Sequence, residues 1–293
     1  MGTILAYGLT ATLVGQPRYH PEIGRNSVPD LPLTNQQNSV LVMTQNMAHG
    51  RADGVNQILQ SGSTIEANLR DIVAVFQRVD PDIVALQEAD APSVWSGNFN
   101  HVQFLAEAAP FPYYVHGEHV ASTRLSYGTA VLSKLPVSTT LAITFAPTPP
   151  TPAKGFVVAT VTWPDESGKV IDIVSVHLDF LRSDVRDAQV AEIIDVLSQS
   201  ANPVIVMGDF NSDWQVEDSP IRKLVEALDL KVYEPESQAY VTFATLDTRY
   251  DWIMISQELE FKTYEVLTEQ ISDHAAIVSE IVFVEDATAV YDP

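Results

Sequence analysis

From Val40 onward the chain alternates short β-branched apolar runs with amphipathic stretches. LVMTQN predicts a strand, Ile65 to Val79 a helix, and DIVALQE a second strand. Within the helix Ile65, Leu69, Ile72, Val73 and Phe76 share one face, and Asp80-Pro81 ends it. GTAVLS, FVVATVTW, VIDIVSVHL, PVIVMGDF, YDWIMIS and AAIVSEIVFV are further strands, with helices over Asp187 to Gln199 and Pro220 to Leu228 between them. Several strands are apolar nearly throughout, which marks sheets covered on both faces, while VVATVTWPDES followed by GKVIDIVSV predicts an antiparallel hairpin. The pattern therefore predicts an α/β (α+β) protein with mixed sheet inside and helices outside.

Before Val40 the periodicity disappears. Residues 16 to 39 are rich in Pro, Asn and Gln and predict an extended lead-in without packed elements. The expected organisation is a lead-in or leader over 1–39, one domain over 40–284 and an acidic tail over 285–293. PTPPTPA, from Pro147, is expected as a stiff surface loop within that domain. Met1 to Gly15 is apolar but lacks a basic n-region and is too short to span a bilayer; it reads as a leader or edge strand, with the end of an export signal as the alternative. The compartment stays open, extracellular, periplasmic or cytoplasmic.

Charge narrows the partners. Sixteen Lys+Arg against 38 Asp+Glu give a formal charge of -22, so the average surface repels polyanions, and no Lys/Arg-rich stretch supplies a nucleic-acid footprint. There is no cysteine, which excludes disulfides, thiolate catalysis and Cys-ligated metals.

The candidate chemistry sits where apolar strands stop. LVMTQN ends in Asn46, DIVALQE in Glu88, VIDIVSVH in His177 and VIVMGDFN in Asp209 and Asn211; Asp251 and Asp273-His274 lie in two later segments. Layered α/β proteins gather active sites at such ends, because loops there converge polar groups on one cleft. An oxygen-rich set without thiolate suits a hard cation, Mg²⁺, Mn²⁺ or Ca²⁺. Each residue also has a structural reading: Glu88 as a surface carboxylate, Asp209 and Asn211 as an Asx turn, His177 as a core histidine, Asp273-His274 as a cap. His49, His101, His116 and His119 match no metal box and are expected at exposed or rim positions. Arg124, Tyr127 and Arg182 are candidates for substrate phosphate, although Arg182 and Arg186 equally fit pairing with Asp184 and Asp187. Trp95 and Phe99 suit stacking or burial.

The ordered set Asn46, QE at Glu88, YGTAVLSKLP from Tyr127, SVHL at His177, GDFN at Asp209, YDWI at Asp251 and SDH at Asp273 resembles the motifs of the endonuclease/exonuclease/phosphatase superfamily. Members include deoxyribonuclease I, abasic-site endonucleases, neutral sphingomyelinases and inositol polyphosphate 5-phosphatases. The resemblance covers nearly all of the chain after Val40. It implies a four-layer sandwich, two packed mixed sheets flanked by helices, and a divalent-metal-dependent phosphoester hydrolase. By it, Glu88, Asn46 and Asp273 hold the metal, Asp209 orients and deprotonates water, and Asn211 bonds a phosphate oxygen. His274, held by Asp251, acts on the charge at phosphorus or the leaving oxygen, and His177 donates to a phosphate oxygen or the leaving group. Histidine in SVHL leans toward the deoxyribonuclease and sphingomyelinase branches. With the acidity, this favours a small-molecule or lipid-headgroup phosphodiester. A nuclease is the first alternative, and a non-catalytic binding module on the same fold the second.

Overall fold

The computed structural model describes residues 18–28, 38–54, 60–165 and 167–284; most of the lead-in over 1–39 and the tail over 285–293 lie outside them. Fifteen strands and four helices follow one another among these residues in the order β1 (Arg18–Tyr19), β2 (Ile23–Arg25), β3 (Ser39–Asn46), α1 (Gly62–Val79), β4 (Ile83–Asp90), α2 (His101–Ala108), β5 (Tyr113–Val120), β6 (Tyr127–Ser133), β7 (Val137–Thr144) and β8 (Gly155–Thr162). The chain continues with β9 (Val170–His177), α3 (Ser183–Leu197), β10 (Val204–Asp209), α4 (Pro220–Leu228), β11 (Leu230–Val232), β12 (Asp251–Ser256), β13 (Leu259–Phe261), β14 (Glu265–Val266) and β15 (Ile277–Phe283). The first sheet runs β1-β7-β8-β9-β10-β12-β11 and the second β13-β15-β3-β4-β6-β5-β2, with β14 beside β15.

Alternation along the strands builds the layers. In β4, Ile83 and Ala85 face the other sheet while Val84 and Leu86 face α1 and α2; in β10, Ile205 and Met207 point inward and Val204 and Val206 toward α3 and α4. Three apolar layers result, and their burial is the main favourable term holding helices and sheets together. The α1 helix starts at Gly62, three residues before the periodic stretch, because Ser61 caps it by accepting from the Thr64 amide at 3.1 Å. It ends at Asp80, in the left-handed conformation. The hairpin of β8 and β9 is antiparallel as expected.

The lead-in is not bare of packed elements. Arg18–Tyr19 extends the first sheet along β7, and Ile23–Arg25 extends the second along β5, so this short stretch edges both sheets. Strands this short carry too little period to read. The expectation for three histidines is also corrected: His101 and His119 are buried and His116 is half-buried. His119 lies between Thr144 Oγ1 at 3.2 Å and Thr129 Oγ1 at 2.9 Å, and burial pushes its pKa down to about 3. Between that value and the unfolded value of about 6.5, the unfolded chain binds a proton that the folded chain refuses. Stability contributed by neutral His119 is thus complete above about pH 6.5 and is lost as pH falls below it, by about 1.4 kcal/mol per pH unit. Denaturant unfolding of wild type and His119→Gln between pH 4.5 and 6.5 tests this. The variant should show a slope of stability on pH shallower by about that amount, and equal slopes would mean that the folded protein protonates His119.

Candidate functional site

Strand register brings the polar strand ends together. His177 of β9 pairs with Asp209 of β10, and Asp209 pairs with Asp251 of β12, so three candidate residues stand in one row across the first sheet. Asn46 of β3 is level with Gln87 of β4 in the second sheet. The two rows meet where Asn46 Nδ2 donates to Asp209 Oδ2 at 3.0 Å.

Local backbone geometry aims the side chains. Gly208 has φ +147, and a Cβ there would meet the Val176 carbonyl oxygen at 2.0 Å, so only glycine lets β10 run against β9 just before Asp209. The ladder between β4 and β6 slips between Leu86 and Ala89. Within that bulge Gln87 bonds Thr44 and Ser175, while Glu88, with φ 49, turns out of the strand into the site. Asn211 also has positive φ, at 48. Its backbone amide donates to Asp209 Oδ1 at 2.9 Å, and its Nδ2 donates to Leu178 O at 3.1 Å and Asp209 Oδ2 at 3.2 Å. This is the Asx-turn geometry weighed above, here closed on a buried carboxylate.

Asp209 is 1% exposed. Burial, reinforced by Asp251, pushes its pKa up to about 7 against the opposing pull of His274. His274 Nδ1 lies 2.8 Å from Asp251 Oδ2, and its Nε2 3.9 Å from Asp209 Oδ2. Burial works against its charge, yet the Asp251 and Asp209 carboxylates overcome it and raise the pKa to about 10. A carboxyl near 7 is a proton acceptor matched to neutral pH, and the imidazole beside it stays protonated there and so has a proton to give.

On the other side, three cationic side chains surround Glu88. His49 Nε2 is 3.2 Å from its Oε2, Arg51 3.5 Å from the same oxygen, and Lys154 Nζ 3.8 Å from Oε1. Burial would raise the Glu88 pKa, but His49, Lys154, His177 and Arg51 hold it well below the usual carboxylate range. Lys154, just before β8 and 5% exposed, also lies 2.8 Å from His177 Nε2. Burial and that ammonium drive the His177 pKa well down, so His177 is neutral. Its 3.5 Å approach to Asp209 is then a dipolar contact and not an ion pair. Arg51 reaches from Glu88 to Asp273 Oδ2, so the two carboxylates assigned to a metal share one guanidinium.

Lys154 and Arg51 escaped sequence reasoning, and His49, expected at an exposed or rim position, is half-buried against Glu88. Lys154 follows the Pro-rich loop and reads as a surface lysine, and His49 and Arg51 lie in a short irregular turn after β3. Other assignments shift. Arg182 is turned away from solvent phosphate: it donates to the Thr148 and Pro149 carbonyls, and its acidic partner is Asp179 at 3.1 Å and not Asp184. Tyr127 is buried, donates to Ala153 O at 3.1 Å, and holds its ring 5.7 Å from the Lys154 ammonium and 5.0 Å from His49. Arg124 is exposed on the loop after β5. Both amide protons of Asn211 are engaged within the protein, so it braces Asp209 where a phosphate contact was expected.

The donors fit a hard divalent cation. Two carboxylates and an amide make up the Glu88, Asp273 and Asn46 set, while Asp251 Oδ1, buried with no hydrogen-bond partner, belongs to a second group beside it. Asp209, Asp251 and His274 each offer one ligand atom, all within 4.8 Å of one another. A surface cavity of about 530 Å³ is elsewhere: Lys169, Trp163 and Phe283 line it at the opposite end of the strands.

Among curated proteins no sequence matches the chain. Solved structures do. A Beutenbergia cavernae endonuclease/exonuclease/phosphatase is 18% identical, with 84% of this chain and 72% of that one covered and a TM-score of 0.67. The human nocturnin catalytic domain with bound sulfate is 21% identical over 86% and 97% of the two chains, TM-score 0.61. A Bacteroides thetaiotaomicron mannosyl-6-phosphatase is 17% identical over 83% and 100%, TM-score 0.62. These likenesses establish the expected four-layer deoxyribonuclease I-like fold. A model of the Endonuclease/Exonuclease/phosphatase family matches residues 43–274, the span that holds every strand-end residue from Asn46 to His274, and on that match the chain belongs to this family.

Proposed function

We propose that the chain is a divalent-metal-dependent phosphodiesterase acting on a small-molecule or lipid-headgroup phosphodiester, with Mg²⁺ as the favoured ion. Members of the family are generally phosphoester hydrolases and generally use divalent metals. The observation that carries the finer reading is the Asp209 carboxylate, buried, braced by Asn46 and Asn211, and faced by an imidazolium that Asp251 holds. Asp209 orients the attacking water and takes its proton. His274 gives a proton to the departing oxygen, and Asp251 fixes its tautomer and supports its charge. Lys154, with the neutral His177 ring beside it, presents a desolvated positive charge to a non-bridging phosphate oxygen. Glu88, Asp273 and Asn46 would hold the ion, whose contribution is to neutralise phosphate charge. His274 is a poor ligand, because a protonated imidazole has no lone pair to offer.

The acidic surface supports a small substrate over a polyanion, and at the site itself Lys154, Arg51 and His49 gather positive charge around one carboxylate. Hydrolysis of bis-p-nitrophenyl phosphate and nicking of plasmid DNA, run in parallel with Mg²⁺, Mn²⁺ or EDTA, test the reading. Metal-dependent cleavage of the small diester without nicking is expected, and Glu88→Ala should lose the metal response. Asp209→Ala should reduce turnover about 10²- to 10⁴-fold with the fold intact. Efficient nicking would make the chain a nuclease, and turnover unchanged by Asp209→Ala would remove the catalytic assignment.

Arg51 generates a separate prediction. A cation arriving at Glu88 and Asp273 must displace the guanidinium that links them. Arg51→Gln should therefore bind Mn²⁺ more tightly, on the order of 10-fold, if the lost competition is worth about 1.4 kcal/mol. The shift of thermal unfolding with Mn²⁺ concentration measures this. Weaker binding in the variant would mean that Arg51 arranges the carboxylates for the ion.

A further inference from the structure

Among the described residues the exposed large hydrophobic side chains are Val94, Phe180, Leu181, Val216, Leu246 and Val284. Single exposed apolar residues are ordinary, so their placement is what matters. All but Val284 lie on loops at the end of the strands that carries Asp209. Val94, 70% exposed, precedes Trp95, whose ring lies 5.7 Å from His49 on Glu88. The ring of Phe180 is 5.9 Å from the Lys154 ammonium, and Leu181 follows it. Val216 is on the loop leaving Asn211. Leu246, 60% exposed, tops the turn that starts from Phe243, whose ring is 4.9 Å from the His274 ring. Four separate loops thus carry apolar side chains around the polar strand ends, where the His49, Arg51, Glu88 and Asp273 side chains are partly exposed.

We propose that these loops form a docking rim that seats these strand ends on the surface of a choline-phospholipid bilayer. The inference rests on the phosphodiesterase reading for its substrate side and on the rim alone for its binding side. Aliphatic side chains spread over four loops suit a fluid boundary that each can enter separately, to the depth of the headgroup and upper acyl region. A protein partner would call instead for a contiguous patch rich in Tyr, Trp and Arg anchors. Charge chooses the lipid. Val216 is followed by exposed Glu217 and Asp218, and Leu246 by exposed Asp247, carboxylates that complement the outward ammonium of a choline headgroup. The same carboxylates and the charge of -22 oppose an anionic bilayer. Docked in this way, the strand ends that carry Lys154, Asp209 and His274 face the headgroup phosphodiester.

Flotation of the full chain with phosphatidylcholine vesicles tests the proposal. Wild type should float, and mixing phosphatidylserine into the vesicles should weaken the association. Leu181→Ser, Val216→Ser and Leu246→Ser combined should lower the partition about 10- to 100-fold while leaving hydrolysis of bis-p-nitrophenyl phosphate in place. Wild type remaining in the soluble fraction, equal flotation of the combined variant, or a preference for phosphatidylserine would overturn it. So would a wild-type dimer that the substitutions abolish, which would make the rim a protein interface. Asp209→Ala should float like wild type, so loss of hydrolysis with partition intact bears on the proposed function and leaves the docking surface standing.

Discussion

A carboxylate with 1% exposure between two β-sheets is costly unless its oxygens are hydrogen-bonded, and Asp209 meets that requirement from both sheets at once. Asn211, from its own loop, supplies two donors, and Asn46, at the end of a strand in the other sheet, supplies a third. The Asn46 contact is possible only if β3 and β10 end at the same level, so it ties the relative register of the two sheets to the chemistry of one residue. Below it, Ser175 and Gln87 bond across the same gap, Ser175 also donating to Leu86 O at 2.8 Å, so a narrow polar seam runs through an otherwise apolar interlayer. Such a seam contributes little net stability and much specificity, since any slip of one sheet leaves its groups unpaired.

The same constraint accounts for the unusual backbone near the site. His49, Glu88 and Asn211 all hold positive φ, a conformation that costs non-glycine residues free energy and persists only where surrounding packing over-determines it. Each of the three directs its side chain or its amide at another site residue: His49 at Glu88, Glu88 at Lys154, Asn211 at Asp209. The rigid sandwich absorbs this cost through the buried layers on both faces of each sheet. Strain at strand ends is thus coupled to order at strand centres, and the site gains a geometry that loops alone would not hold.

Much of this was legible from residue order. Long apolar strands and the polar residue closing each one are local patterns, so the strand-end places of Asn46, Glu88, His177 and Asp209 could be read from them, and Pro220–Leu228 was placed with both of its ends. What escaped was set by pairing at a distance. β5 carries His116, Gly117, Glu118 and His119 within a few positions and hides its alternation from the sequence, because its inward places there hold Gly117 and a polar His119 satisfied by Thr129 and Thr144 of other strands. The α2 helix is short, and its N-cap, Asn100 accepting from Gln103 at 2.9 Å, was hidden in an aromatic, polar stretch. Lys154 has no local signature at all. Only the antiparallel pairing of Gly155 with His177 reveals that the preceding lysine must face the site.

That lysine also changes the meaning of the acidity. A charge of -22 repels anions at long range, yet screening limits its reach to about 8 Å at physiological ionic strength, whereas desolvated cations act strongly at contact. Lys154 is almost fully buried, and burial lowers its pKa while Glu88, Asp209 and Asp179 sustain its charge. The acidity of the chain therefore serves two opposed ends through two sets of groups. Exposed carboxylates repel long polyanions at a distance, and Glu88, Asp209 and Asp179 beside the lysine keep one ammonium charged out of water. The compact phosphodiester proposed as substrate would satisfy both conditions, because it brings one negative charge to that ammonium and spans little of the repelling surface.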